Sequence, residues 1–452
     1  VLLVPKTRFS RIHMIGIGGS GMSGLAEILH SLGFEVSGSD ISRKETTERL
    51  ERLGIKVFYG HRAENVEGAN IVVYSSAIGP DNPELVRAKE LKIPIIQRAE
   101  MLAELMRVKF SIAVSGAHGK STTTSMIGHI LKEVGKNPTV IVGGILKDVG
   151  SGGLVGRGEY LVAEADESDR SFLKLLPTIA VITNIDREHM DTYGSMASLK
   201  MAFIEFANKV PFYGSVVACG DDKNVRDILP FLEKRVFTYG FSNENDLYAE
   251  NVKVFGLSSE FELSGFGERL KGKLNVPGRH NVLNALASLI VAWELDIPLR
   301  EALESLESFK GVGRRFEIKG EKFGAIFVDD YGHHPNEIKN VLEVARGIGK
   351  RVITVFQPHR YTRTMDLYRE FGEVLLKSDI VILLPIYPAG EKPIPGVSSE
   401  LIYSVMKGMG KDGVYLVETF EEAAEILRKI LEEGDVVLLQ GAGNVYRVFD
   451  IV

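Results

Sequence analysis

Residues 109–131 constrain the fold more than any other stretch of the chain. Lys109-Phe110-Ser111-Ile112-Ala113-Val114 is a short apolar run suited to a buried strand, and Ser125 to Leu131 carries the periodicity of an amphipathic helix. Between them lies Ser115-Gly116-Ala117-His118-Gly119-Lys120-Ser121-Thr122-Thr123-Thr124. A strand that enters a helix through glycines belongs to an α/β sheet, whose loops gather at the carboxyl ends of its strands. This turn is also built to hold polyphosphate. Gly116 and Gly119 let backbone N–H groups face phosphate oxygens, Lys120 adds a point charge and Ser121 offers a hydroxyl to Mg²⁺, all at the positive end of a helix. Ala117, His118 and Thr122 complete the loop. Its spacing, Gly-x-x-Gly-Lys-Ser, is a shortened form of the common pattern, whose further glycine is replaced here by Val114. ATP is the expected ligand.

The 452 residues suggest about three domains. With 54 basic against 60 acidic side chains the formal charge is −6, which argues against bulk attraction to nucleic acid or to anionic membranes. Cys219 is the only cysteine, so no intrachain disulfide and no cysteine metal cage can form. Val1 to Val4 are apolar, but Pro5, Lys6, Arg8 and Arg11 follow, so no signal peptide is expected. No run approaches a membrane span, and the cytoplasm, where ATP is available, is the expected compartment.

Three segments each alternate strand and helix. In the first, Ile12 to Ile15 leads into Gly16-Ile17-Gly18-Gly19-Ser20-Gly21, then a helix through Leu25, Ile28 and Leu29, then a strand from Glu35 to Gly38 ending at Ser39-Asp40. Glycines at these places with an acid about 20 residues on form a dinucleotide fingerprint, which alone implies an NAD-dependent oxidoreductase. Asn70 to Tyr74 reads as a further strand, delivering Ser75, Ser76, Ala77 and Ile78 to the carboxyl edge, and helices are expected over 84–90 and 99–106. The middle segment has strands at Tyr160–Glu164, Ile179–Thr183 and Ser215–Ala218, a small antiparallel excursion over 236–274, and a helix from about His280 to Leu295. Gly311-Val312-Gly313 offers a hinge. Strands near 325–328, 351–355, 380–384, 413–417 and 436–439 make a third parallel sheet. The expected domains are 1–106, 107–313 and 314–452.

Several polar clusters follow strands. Glu164 and His189, with Ser121, suit Mg²⁺ or Mn²⁺. The alternative is a loop histidine paired with Asp186 or Asp191, with Asp166-Glu167 as a solvated loop. His280, Asn281 and Asn284 lie within one helical turn and suit an adenine edge, or simply a helix cap. Asp329-Asp330-Tyr331-Gly332-His333-His334-Pro335 and His359-Arg360-Tyr361-Thr362-Arg363 concentrate ionisable groups at strand ends. Arginine forks there suit a carboxylate or an acyl phosphate, the alternative being solvated turns.

Taken together and in order, these stretches resemble the Mur ligases, the amide-forming enzymes of peptidoglycan precursor synthesis. The match runs almost end to end through Gly16 to Gly24, Ser75-Ser76-Ala77, Gly116 to Ser121, Glu164 to Asp169, His280 to Ala285, Asp329 to Pro335 and His359 to Arg363. The resemblance implies three α/β domains: a Rossmann-like UDP-binding domain, a central ATPase-type parallel-sheet domain and a Rossmann-like carboxyl-terminal domain. It reassigns the first glycine fingerprint from NAD to UDP, with Gly16, Gly18, Gly19, Ser20, Gly21, Met22 and Ser23 at the sugar nucleotide and Asp40 near its nucleoside end. It implies UDP-N-acetylmuramate and L-alanine as substrates, with an acyl phosphate as intermediate. By the same resemblance Ser121, Glu164 and His189 hold metal, His280, Asn281, Asn284, Arg315 and Asp330 contact ATP, and Lys120 serves the transferring phosphoryl group. Tyr331, His333, His359, Arg360 and Arg363 fall at the amino acid and the reacting carboxylate. Two departures stand out, Ser121 in place of threonine and Glu188 in place of the aspartate before the metal histidine. A sister activity, joining a tripeptide to the same sugar nucleotide, shares most of these motifs.

Overall fold

The computed structural model describes residues 10–75, 77–107, 109–146 and 151–452. Ser76 lies outside them, as does the chain before Ser10. The first sheet has the order β3-β2-β1-β4-β5, from β1 Arg11–Ile15, β2 Glu35–Asp40, β3 Lys56–Tyr59, β4 Ile71–Tyr74 and β5 Ile95–Gln97, every pair parallel. The order turns back at β1 and β4, the place where open parallel sheets leave a crevice. The helix after β1 runs over Ser20–Ser31 and buries Met22, Leu25, Ile28 and Leu29.

The second sheet contains β6 Phe110–Ser115, β7 Thr139–Leu146, β8 Ser151–Leu154, β9 Tyr160–Glu164, β10 Ile179–Ile182, β11 Ser215–Cys219, β12 Val236–Gly240, β13 Leu247–Phe255, β14 Ser258–Gly265 and β15 Glu268–Leu274. Its order is β15-β14-β13-β12-β11-β10-β6-β9-β7-β8. The antiparallel excursion expected over 236–274 is therefore an extension of this sheet, and it begins parallel, with β12 pairing parallel to both β11 and β13. The two residues between β13 and β14 permit only a hairpin. β6 lies at the heart of the sheet and, as suits a strand buried on both faces, carries no charge, with only Ser111 and Ser115 polar. The helix that follows begins at Lys120 and ends at Glu133, so the Ser/Thr run forms its first turn despite modest helix propensity.

The third sheet has the order β16-β17-β21-β18-β19-β20, from β16 Glu317–Lys322, β17 Ala325–Asp330, β18 Val352–Phe356, β19 Ile380–Leu383, β20 Val414–Leu416 and β21 Val436–Gln440. It is parallel except for β16, which pairs antiparallel with β17 at the edge, a departure from the all-parallel expectation. Both faces are covered: Val328, Val436 and Leu438 pack into one apolar cluster, Phe327, Val437 and Leu439 into the other. The chain forms two compact units, one taking in the described chain to Val252 with Phe261–Leu274 and Asn281–Gly311, the other Lys253–Glu260, Asn275–His280 and Val312–Val452. No described helix is long and apolar enough to cross a membrane.

Candidate active site

Because β6 pairs with β10 on one side and β9 on the other, Ser115, Glu164 and Thr183 arrive at one sheet edge. The glycine loop above them is held from two sides. Asn184 clasps it through its backbone carbonyl to the Ala117 N–H (3.2 Å), its side-chain oxygen to the His118 N–H (2.8 Å) and its side-chain amide to the His118 carbonyl (3.0 Å). On the other side the Asn284 oxygen accepts from the Thr123 hydroxyl at 3.2 Å, while its amide donates to Asn281 at 3.1 Å. Gly116 (φ 137°) and Gly119 (φ 83°) are required sterically as well as conformationally. A Cβ would stand 2.1 Å from the Thr183 hydroxyl at the first and 2.5 Å from the Asn284 oxygen at the second.

Lys120 Nζ lies 2.9 and 3.0 Å from the two oxygens of Glu167 and 2.5 Å from the Gly116 carbonyl. Burial alone would depress this ammonium, but the carboxylates of Glu167, Asp166 and Glu164 outweigh it and hold Lys120 above its ordinary value. Burial pushes Glu167 up, with Asp166 assisting and Lys120 opposing. The two directions agree physically, because one ammonium cannot balance three acids. Ser121 donates to both oxygens of Glu164 at 3.0 and 3.1 Å. His189, the N-cap of the short helix Met190–Tyr193, holds a φ of 57° and sets Nε2 3.5 Å from Glu188 and 3.9 Å from Glu167. The ligand atoms of Glu167, Glu188 and His189 all lie within 4.8 Å of one another. Oxygen donors, one imidazole and surplus negative charge form a donor set that fits Mg²⁺ or Mn²⁺.

At the first sheet, the Gly16 and Ile17 N–H groups donate to the Ser39 carbonyl at 2.8 and 3.0 Å, and the Gly18 N–H donates to Asp40 Oδ2 at 3.0 Å. Asp40 thus braces the glycine loop from β2 and also lies 3.3 Å from Lys44. Gly16 packs against Ser75, where an added Cβ would be 3.4 Å from the serine Cβ, and Ser75 Oγ accepts from the Ala77 N–H at 3.4 Å. Ser20 and Gly21 open the helix, with the Gly21 Cα facing Arg98. Met22 is 1% exposed and Ser23 is buried, and both donate their N–H to the Gly19 carbonyl.

At the third sheet, β17 and β18 flank β21, so their two motifs share a carboxyl edge. Arg314 forks onto Asp329 (2.9 and 3.4 Å) and faces the Tyr331 ring at 5.2 Å; Arg315 pairs with Glu337 at 3.3 Å and also faces Tyr331, at 5.4 Å. Asp330 turns inward, accepting from Gly332, Gln440 and the Phe316 N–H, and burial raises its carboxyl. The rings of Tyr331 and His333 lie 5.5 Å apart, as do those of His333 and His359. His359 is pushed down to about 3, first by burial and then by His333, Arg363, Arg360 and Arg314. The acids nearby are engaged by Arg314, by Arg315 and by Thr362, whose N–H and hydroxyl both bind Glu391. Arg360 and Arg363 are thus left as an anion-seeking pair.

Three family profiles match in sequence: the Mur ligase family catalytic domain over 11–110, the Mur ligase middle domain over 114–292 and the Mur ligase glutamate ligase domain over 314–443. The chain belongs to the Mur ligase family. It is 51% identical over 440 residues to the UDP-N-acetylmuramate–L-alanine ligase of Geotalea daltonii, covering 97% of this chain and 96% of that one. It is 50% identical over 447 residues to the ligase of the same name from Sulfurihydrogenibium, covering 98% and 97%. The crystal structure of the UDP-N-acetylmuramate–alanine ligase of Thermotoga maritima superposes with a TM-score of 0.83 at 32% identity, over 98% of each chain. A murein peptide ligase from Psychrobacter arcticus, at 21% identity and a TM-score of 0.73, shares the fold.

Membership of an amide-forming ligase family removes the NAD-dependent oxidoreductase reading of the first glycine loop. Of the expected metal residues, Ser121 joins Glu164, while His189 joins Glu167 and Glu188. Glu167 is 2% exposed, so it is not part of a solvated loop. Asp186, one of the two aspartates considered for His189, lies 3.2 Å from Nε2 of His118. Asn281 and Asn284 lie inside the helix Arg279–Glu294, not at its cap, and His280 is pushed down to about 4 by burial. Sequence reasoning missed Glu167, Asn184, Arg314 and Glu337. A buried lysine needs a counter-charge, and Glu167 three residues past a strand end was the available signal.

Proposed function

We propose that the chain joins L-alanine to the lactyl carboxylate of UDP-N-acetylmuramate at the expense of ATP, releasing ADP and phosphate. The observation that carries this is the near full-length likeness to ligases of that name, on a chain whose β6 loop has phosphate-loop geometry. Lys120 neutralises charge on the transferring phosphoryl group, and the loop amides beside it, stiffened by Asn184 and Asn284, bind the phosphates. Mg²⁺ or Mn²⁺ fits Ser121, Glu164, Glu167, Glu188 and His189, and when bound would neutralise phosphate charge. The Gly16–Gly21 loop, with Asp40, Ser75 and Ala77, takes UDP. Arg360, Arg363, His333, His359 and Tyr331 receive the amino acid and orient it toward the acyl phosphate, whose protection from water preserves the intermediate. His280, Asn281, Asn284, Arg315 and Asp330 serve the nucleotide. The domains divide at about 106, a few residues before the end of the first matched family region, and at about 313, in the gap between the second and third, and the cytoplasm, which supplies ATP, is the place of action.

The test is phosphate release from ATP with UDP-N-acetylmuramate and each amino acid in turn, with a tripeptide acceptor in parallel. Release strongest with L-alanine is expected. Release with the tripeptide but not with alanine would replace this reading by the murein peptide one.

A further inference from the structure

Arg363 Nη1 stands 3.2 Å from His359 Nδ1. A guanidinium carries donors only, so Nδ1 is the accepting nitrogen, and in the neutral ring the proton resides on Nε2. A second residue fixes the plane of that ring. Tyr387, in the connection after β19, stacks on the imidazole with centroids 5.7 Å apart and planes 10° from parallel. Its backbone brackets the same histidine, the Tyr387 N–H donating to the Pro358 carbonyl at 2.8 Å and the Tyr387 carbonyl accepting from the Arg360 N–H at 2.9 Å. Arg360 holds a φ of 73°, uncommon for a side-chain-bearing residue, so this bracket also pins its guanidinium stem. After burial, the largest electrostatic influences on His359 come from His333, Arg363, Arg360 and Arg314, all cationic or neutral, and the stacked Tyr387 ring adds no negative charge in its phenol form, so the ring stays unprotonated. A neutral Nε2–H among arginines is equipped to donate to an anion.

We propose that Tyr387 and Arg363 hold His359 as a fixed Nε2–H donor for the carboxylate of the incoming amino acid, so that His359 is not the base that takes a proton from the ammonium group. This rests on the reading of the third sheet's carboxyl edge as the amino-acid site. Tyr387 is a positioning residue, acting through the imidazole. In neutral His359, Nε2 already bears its proton and the Nδ1 lone pair is committed to Arg363.

The first test needs no substrate. In the full-length protein labelled with ¹⁵N-histidine, with His359→Gln to assign the resonance, long-range ¹⁵N–¹H correlations are expected to show Nδ1 bare and no protonation from about pH 8 to about pH 5. A proton on Nδ1, or a midpoint inside that interval, overturns the proposal. The second test is kinetic. Tyr387→Leu is expected to raise the alanine KM roughly 3- to 10-fold, the worth of a lost ring stack, with a smaller effect on kcat, and Tyr387→Phe to restore it. His359→Gln retains an N–H near the Nε2 position and is expected to keep kcat within about tenfold, whereas loss of a true base would lower it by roughly 100- to 10,000-fold. A collapse of that size in His359→Gln overturns the proposal. If the tautomer is as stated and every variant leaves the alanine KM unmoved, the amino acid binds elsewhere, and the proposal falls with that reading.

Discussion

Glu167 shows how one buried acid joins stability to function. Its carboxyl is raised in the folded chain, chiefly by burial, so as pH climbs from the ordinary glutamate range the unfolded chain loses this proton first. Stability is therefore fully present below the ordinary value and is lost as pH rises through the raised one. Without a divalent cation, Glu167→Gln is expected to stabilise the protein by on the order of 1 to 3 kcal/mol at about pH 8 and to change little at about pH 4. The same change removes a candidate metal donor, and turnover should fall about 10- to 100-fold. Thermal melts in chelator at the two pH values, beside a phosphate-release assay, check both. A variant less stable at both pH values would show that the Lys120 ion pair outweighs the crowding of acids. The sequence pointed to Lys120, Ser121, Glu164 and His189, whereas Glu167, though visible just past a strand end, could not be assigned to Lys120 from the sequence. Its role depends on β9 lying beside β6, a long-range pairing that no local pattern records.

The strands were the most legible part, because a parallel strand buried on both faces must be an apolar run, as β6, β10, β11 and β21 are. β16 was not, since Glu317-Ile318-Lys319-Gly320-Glu321-Lys322 carries charge at all but Ile318 and Gly320, as suits an edge that must not recruit another strand. The helix Glu45–Arg52 escaped notice for a related reason, burying little more than Thr47 and Leu50. Between these extremes lies the loop from β6 into its helix, whose glycines were legible and whose clasp was not. Gly119→Ala tests the clasp. Its new Cβ would sit 2.5 Å from an Asn284 oxygen held by Thr123, at a φ of 83° that costs an alanine about 1 to 2 kcal/mol by itself. Loss of about 1 to 3 kcal/mol in chemical denaturation, with ATP affinity reduced, is the expected outcome. Full stability with normal ATP binding would mean that Asn284 moves aside freely and does not support the loop.

Three sheets in succession place polar loops at their carboxyl edges, and the first two each join a glycine turn to a helix amino-terminus, a geometry suited to an anion. One cradle lies within the region matched by the first family profile and the other within the second, and each is braced by its own neighbours: Ser39 and Asp40 for Gly16–Gly18, Asn184 and Asn284 for Ala117–Thr123. Sites with separate supports should fail separately, because substitutions that share no partners act nearly independently. Lys120→Ala removes the ammonium that faces Glu167, Asp166 and Glu164, and the hydrogen bonds described for it, to Gly116, Ala117 and Glu167, include none to the first sheet. Ligation should fall by at least 100-fold, on the order of 3 to 4 kcal/mol of lost charge stabilisation, while UDP-N-acetylmuramate binding by calorimetry stays within about threefold of the parent. The surplus acid left behind also predicts a lower melting temperature for Lys120→Ala without Mg²⁺, recovered in part when the ion is added, since a ligand that binds only the folded form stabilises it. Parallel loss of sugar-nucleotide affinity would mean that the two cradles are one cooperative device, with the ammonium acting on the first sheet through the core they share.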